Sequence, residues 1–186
     1  MTYLGFGCAS VMGKVGKGDA FNAMAVALEH GITHFDIARS YGFGRAEAVL
    51  GQFLKGRRDK VTVTTKFGVV PPRLSLKHKL IMPVARQAMQ VLPALASRAR
   101  KQSAVLLADR CFDVGYAQTC LHESLRQLQT DHVDVYLLHE PVSLTPDQRH
   151  ALQRFMLEAK QAGKVSQWGI ACYQPADLGW ARSAGT

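Results

Sequence analysis

Asp36, Lys66 and His139 each stand at the end of a short apolar or β-branched run, and Tyr41 follows Asp36 by five residues. A carboxylate, an ammonium, an imidazole and a phenol suit one task in particular, the delivery of a proton to a carbonyl oxygen. A phenol is a poor acid at neutral pH, because its free pKa is about 10. A neighbouring Lys66 ammonium is expected to stabilise the phenolate and lower that value. Asp36 would hold the ammonium charged and aimed, and His139 would hydrogen-bond the same oxygen and orient the substrate. Such acid–base help is typically worth about a hundred- to ten-thousandfold in rate. Tyr41 is therefore the expected proton donor. A hydride would have to come from a cofactor, since no side chain supplies one. Each group also has a plainer reading, as a solvated loop carboxylate, an ion-paired lysine or a satisfied core histidine. What sets the group apart is compatible chemistry at the ends of successive runs.

The elements that must position these residues can be read from periodicity. The first dozen residues, with Gly5, Gly7, Cys8, Ala9 and Ser10, suit an extended entry. Asp19 is placed to cap a helix with Phe21, Met24, Ala25 and Leu28 inward, ended by Gly31. A strand over 32–38 carries Asp36. A helix follows with Ala46, Val49, Leu50, Phe53 and Leu54 on one face, and then a β-branched strand over 60–67 that carries Lys66. Asp113 caps a helix with Ala117, Leu121, Leu125 and Leu128 inward, and 133–139 is the strand that ends in His139. Thr145-Pro146-Asp147-Gln148 is a capping box with proline at the first helical position. Its helix buries Leu152, Phe155, Met156 and Ala159 and stops at Gly163, before a strand over 165–172. Strand and helix alternate four times, which predicts an α/β fold with a parallel sheet and covering helices. In such a sheet all carboxyl ends face one way and ligands bind there. Asp36, Tyr41, Lys66 and His139 are thus expected at one mouth.

Spacing exposes one irregularity. Asp36 to Lys66 is thirty residues and His139 to Cys172 is thirty-three, each an ordinary strand–helix unit. Lys66 to His139 is seventy-three, so residues 68–112 are expected to form an insertion within one domain spanning 1–186. The net charge of +9 belongs mostly to that segment. Between Pro71 and Arg110 lie Arg73, Lys77, Lys79, Arg86, Arg98, Arg100, Lys101 and Arg110 against Asp109 alone. With the rest of the chain nearly neutral, the charge is not a nucleic-acid signal. Prolines at 71, 72, 83 and 93 break up the segment, which reads as a large basic connecting loop or, alternatively, an amphipathic lid or lipid-facing surface. At 47% apolar and 20% charged the composition is that of a soluble globular domain. No run is apolar enough for an integral membrane segment, and because Met1 to Gly7 lack a basic patch followed by an apolar block, a secretory leader is not expected. The four cysteines lack a C-x-x-C pair, so free thiols in the cytoplasm are expected and no metal site.

These motifs resemble those of a known family. The stretch from Gly31 to Gly42, with Ala46-Glu47 and Leu50-Gly51 after it, is similar to the first signature of the aldo-keto reductases. Thr64-Thr65-Lys66-Phe67-Gly68 resembles the family's lysine strand. Ser124 to Leu128 and then Val133 to His139 resemble its helix and histidine strand, and Gly163-Lys164-Val165 leads to the matching fourth strand. The resemblance implies a parallel (β/α) barrel of the TIM type, of which about four of eight strand–helix units are present. It implies NADP(H) as cofactor, a small carbonyl or alcohol substrate, Asp36, Tyr41, Lys66 and His139 as the catalytic set, and Asp36 also at the cofactor.

The same resemblance points out two departures. Where the family carries a Ser-Asn pair for the nicotinamide carboxamide, this sequence has Ala171 and Cys172, which leaves that task to backbone groups. A full barrel takes about 250 residues, so the domain is expected to be C-terminally truncated relative to the family. Its later strands carry the aromatic that stacks on nicotinamide and the basic residues for the 2′-phosphate. Open barrel edges would then offer self-association. The leading reading is an NADP(H)-dependent oxidoreductase that interconverts an aldehyde or ketone and an alcohol. The alternative is a truncated, catalytically incompetent family member acting as a binding or interaction protein. A third reading makes Lys66 a Schiff-base nucleophile.

Overall fold

A computed structural model describes residues 4–71, 109–141 and 144–172 of the 186-residue chain. Five strands run in chain order and all in parallel: β1 (Gly5–Gly7), β2 (His34–Asp36), β3 (Thr62–Phe67), β4 (Val133–His139) and β5 (Val165–Ala171). Among the described residues four α-helices lie between them: α1 (Lys17–Glu29), α2 (Ala46–Leu54), α3 (Val114–Leu128) and α4 (Pro146–Gln161). The α/β class and the parallel sheet agree with the periodicity. A fifth strand precedes the four strand–helix units expected, because the extended entry Gly5-Phe6-Gly7 pairs with residues 34–36. Three residues, two of them glycine, carry no alternation to read, and the exposed edge of β2 is what makes them a strand.

The period of two along each strand divides the sheet into faces. Phe35, Val63, Thr65, Phe67, Tyr136 and Leu138 lie on the helix-covered face and are buried. Their neighbours Asp36, Lys66, Leu137 and His139 lie on the other. Phe35 packs on Phe53 of α2 with ring centroids 5.8 Å apart, and Phe67 stacks on Tyr136 at 5.1 Å. Tyr136 stays satisfied in this core because its hydroxyl donates to the Ala117 carbonyl of α3, 3.1 Å away. Burying each such large side chain contributes about 1.5–3 kcal/mol.

The inward faces of α2, α3 and α4 are those expected. Asp113 caps α3 by accepting from the Tyr116 amide, and the Thr145–Gln148 capping box opens α4. Helix α1 differs. It starts after Gly16, so Asp19 sits in its first turn, where a carboxylate complements the helix dipole. Its buried residues are Ala20, Met24 and Ala27, with Phe21, Ala25 and Leu28 only partly covered. Gly51 lets α2 and α3 approach closely, since a Cβ there would lie 2.2 Å from the Gln127 carbonyl oxygen. At the amino end of the sheet Asp134 of β4 accepts from the Val63 amide of β3 and from Arg58, each at 2.7 Å.

Most of the basic segment lies outside the described residues. The two ends of that segment meet directly above β3, where the Val70 amide donates to the Asp109 carbonyl and the Cys111 amide to that of Gly68, both at 2.8 Å. Among the described residues no helix is long and apolar enough to cross a membrane.

Candidate active site

The carboxyl ends of β2, β3 and β4 bring the four candidate residues together. Asp36 is the last residue of β2, and Tyr41 opens a single 3-10 turn (Tyr41–Gly44) just beyond it. Gly42 makes this turn possible. Its φ is +57°, and a Cβ there would lie 2.4 Å from the Val11 carbonyl oxygen. Lys66 is only 6% exposed near the end of β3, and His139 ends β4.

Lys66 Nζ donates to Asp36 Oδ1 and, at 3.0 Å, to the Ile37 carbonyl. The same nitrogen lies 5.1 Å from the centre of the Tyr41 ring. The edge of one ring faces the other between Tyr41 and His139, with centroids 5.8 Å apart. A single ammonium therefore touches the carboxylate and overlies the phenol, and the imidazole meets the phenol ring edge to face.

Electrostatics modify one expectation. The Tyr41 phenol is pushed up to about 12 by burial first, and then by the carboxylates of Asp36 and Glu140 and by Cys8. Lys66 was expected to lower that value, but its charge is directed at Asp36, and the carboxylate opposes phenolate formation. The phenol thus holds its proton across the physiological range. His139 is held below the ordinary histidine value, chiefly by burial and then by the Lys66 charge. It is a neutral imidazole at neutral pH, able to donate or accept a hydrogen bond.

A second layer of residues supports this mouth, and periodicity alone does not single it out. Glu47 is buried on α2, receiving hydrogen bonds from Arg39 at 3.0 Å and from Thr65 at 2.7 Å. Its signal in the sequence is position: it lies three residues before Leu50 and seven before Leu54, on the apolar face of its helix. Cys8, just past β1, is fully buried and donates its amide to the Asp36 carbonyl at 2.8 Å. Burial, and then Asp36, push its thiol up to about 12, which makes it an inert core residue.

The sequence from residue 3 to residue 186 matches the model of the Aldo/keto reductase family. The chain belongs to that family. Among its relatives, a 6-dehydroglucose reductase of Agrobacterium fabrum is 31% identical over 160 residues, which cover 84% of this chain and 44% of that protein. The aldo-keto reductase AKR11C1 from Bacillus halodurans, solved in its holo form, superposes with a TM-score of 0.68 at 28% identity, covering 95% of this chain and 48% of that one. An aldo-keto reductase from Klebsiella pneumoniae in complex with NADPH superposes with a TM-score of 0.64 at 22% identity, over 96% of this chain and 48% of that one, and shows likeness of fold. This aldo/keto reductase chain thus spans about half the length of these relatives. Its parallel five-stranded sheet and covering helices are the α/β architecture of TIM-barrel type that they share.

Proposed function

We propose that this aldo/keto reductase chain carries the proton-transfer half of an NADP(H)-dependent reaction that interconverts a small aldehyde or ketone with its alcohol. The observation that carries the reading is the convergence on one ammonium, where Lys66 pairs with Asp36 over the Tyr41 ring and His139 packs edge to face against that ring.

In this reading a carbonyl oxygen lies between Tyr41 and His139. Neutral His139 donates a hydrogen bond to it and fixes the orientation of the carbonyl. As negative charge develops on the oxygen, the Tyr41 hydroxyl gives up its proton. Lys66, aimed by Asp36 and the Ile37 carbonyl, stabilises the phenolate that remains. Aiming a preformed charge at a developing one is among the larger sources of rate. In the reverse direction the phenolate takes the proton from an alcohol.

The mouth fits the reacting end of a nicotinamide cofactor. A Cβ built at Gly7, beside Asp36 on the same face, would meet nothing within 4 Å, and β5 ends there in the methyl of Ala171. Asp36 and the backbone at Ala171 and Cys172 are the residues that would hold it. When bound, the cofactor supplies or accepts the hydride that no side chain can carry. The NADPH in the Klebsiella relative supports the choice of the phosphorylated form. Four free cysteines suit a reducing, cytoplasmic setting.

Titrating the purified chain with NADPH and following cofactor fluorescence is expected to give a Kd in the micromolar range. No binding at millimolar NADPH would sink the reading for this chain. The Schiff-base reading is separable: borohydride trapping of a carbonyl ligand on Lys66 would favour it. The contact of Nζ with Asp36 supports the charge-donor role instead.

A further inference from the structure

Among the described residues, the most deeply buried charged group outside the four site residues is Glu47. It is 1% exposed, against 6% for Lys66. A carboxylate so placed is retained against a solvation penalty of several kcal/mol unless its partners satisfy it. Both of its oxygens are used. Oε2 accepts from the Arg39 guanidinium at 3.0 Å and Oε1 from the Thr65 hydroxyl at 2.7 Å. The identity of these two partners is the telling feature. Arg39 lies in the connection between Asp36 and Tyr41, and Thr65 immediately precedes Lys66.

The backbone repeats the same connection. The Arg39 amide donates to the Lys66 carbonyl at 3.0 Å, while Lys66 Nζ donates back to the Ile37 carbonyl at 3.0 Å. The Arg39 guanidinium also reaches the Gly44 carbonyl at the end of the Tyr41 turn, at 3.4 Å, and lies 3.6 Å from Glu123 of α3. The segment that carries the phenol is therefore stitched to the strand that carries the ammonium at several points. Glu47 adds a bridge made through side chains, from Arg39 to Thr65.

We propose that Glu47 is a positioning residue for the reaction, its buried carboxylate setting the Tyr41 turn against Lys66 by bridging Arg39 and Thr65. The proposal rests on the function argued above. It adds that the separation of phenol and ammonium is held by a charge outside the site, on helix α2. A misplacement of about 1 Å in such a site can lower the rate about a hundredfold. Glu47→Gln keeps the shape and weakens the hold on Arg39.

The test compares three variants of the full chain with the wild type: Glu47→Gln, the paired Arg39→Met with Glu47→Met, and Asp134→Ala. The last removes a clamp at the opposite end of the sheet and serves as a control for lost stability. With NADPH and para-nitrobenzaldehyde, Glu47→Gln is expected to lose about a hundredfold in kcat, with the aldehyde KM and the NADPH Kd little changed. The paired variant, with no buried charge left alone, is expected to regain thermal stability without regaining kcat, and it replaces the single variant should that one fail to fold. Asp134→Ala is expected to lose stability and keep kcat.

A second readout does not depend on turnover. The His139 imidazole, followed by NMR and assigned with His139→Gln, should titrate below the usual value of about 6.5 in the wild type. It should move toward that value in Glu47→Gln and in the paired variant, as Lys66 leaves its place. Unchanged kcat in Glu47→Gln, recovery of kcat in the paired variant, or an unmoved His139 midpoint overturns the proposal. A wild type that binds NADPH yet never turns over overturns the functional reading alone. The His139 midpoint still decides the role of Glu47.

Discussion

Proton position is the question that the site residues answer first. Burial and two carboxylates keep the Tyr41 phenol protonated up to about 12, so it carries its proton at every pH at which a cell works. In the proposed reaction the energy for releasing that proton would come from Lys66, whose ammonium lies over the ring, and from the negative charge that builds on the substrate oxygen. Tyr41→Phe should therefore lower carbonyl reduction by about a hundred- to ten-thousandfold while NADPH binding persists. Stopped-flow or steady-state NADPH oxidation reads the first, and fluorescence titration the second. Retained turnover would remove Tyr41 from its role. His139 gives a stability prediction with a definite sign. Its native pKa is depressed by burial and by Lys66, so the unfolded chain takes up a proton at a higher pH than the native one. The stability this contributes is fully present above about pH 6.5 and is lost as pH falls through the lower native value. Melting temperature against pH should show this loss in the wild type and a flatter profile in His139→Gln.

Between elements, the decisive contacts are close approaches. Helix α2 both carries Glu47 to the site and packs on α3 through Gly51, where any side chain would run into the backbone at Gln127 and Leu128. Gly51→Ala has to push the two helices apart, an overpacking that typically costs about 1–3 kcal/mol. Urea or thermal unfolding should register that loss, and an unchanged midpoint would mean that α2 shifts freely. If α2 moves as a body, Glu47 moves with it. Gly51→Ala is then expected to lower activity more than its stability loss alone explains.

At the scale of the molecule, the described sheet gathers the whole candidate site onto the carboxyl ends of three neighbouring strands, β2 to β4. The basic segment leaves and re-enters at that same end. Its neck is held there by Arg110, which pairs with Glu140 beside His139 at 2.9 Å. A ligand that binds the folded chain and not the unfolded one stabilises it by mass action. NADPH at a hundred times its Kd should stabilise this chain by about 2.7 kcal/mol, seen as a rise in melting temperature. A melting temperature indifferent to NADPH would show that the sheet and its mouth do not hold the cofactor.

Periodicity and capping chemistry carried the helices α2, α3 and α4 and the strands β2 to β5, because each buries one face and its ends must be satisfied locally. The types and spacing of Asp36, Tyr41, Lys66 and His139 likewise indicated a shared mouth, since strand ends in a parallel sheet are forced to one side. Three things lay beyond local pattern. Strand β1 exists because β2 offers an edge. The Tyr41 phenol is pushed up rather than down, because burial and the carboxylates of Asp36 and Glu140 act on it, which only three-dimensional distance reveals. The pairing of Glu47 with Arg39 and Thr65 joins residues on α2, in the loop after β2 and on β3, and no spacing along the chain encodes that they meet. From the sequence, Asp36 and Tyr41 with Lys66 and His139 pointed to proton transfer, the chemistry proposed here. The tertiary structure decided how their charges and protons are shared.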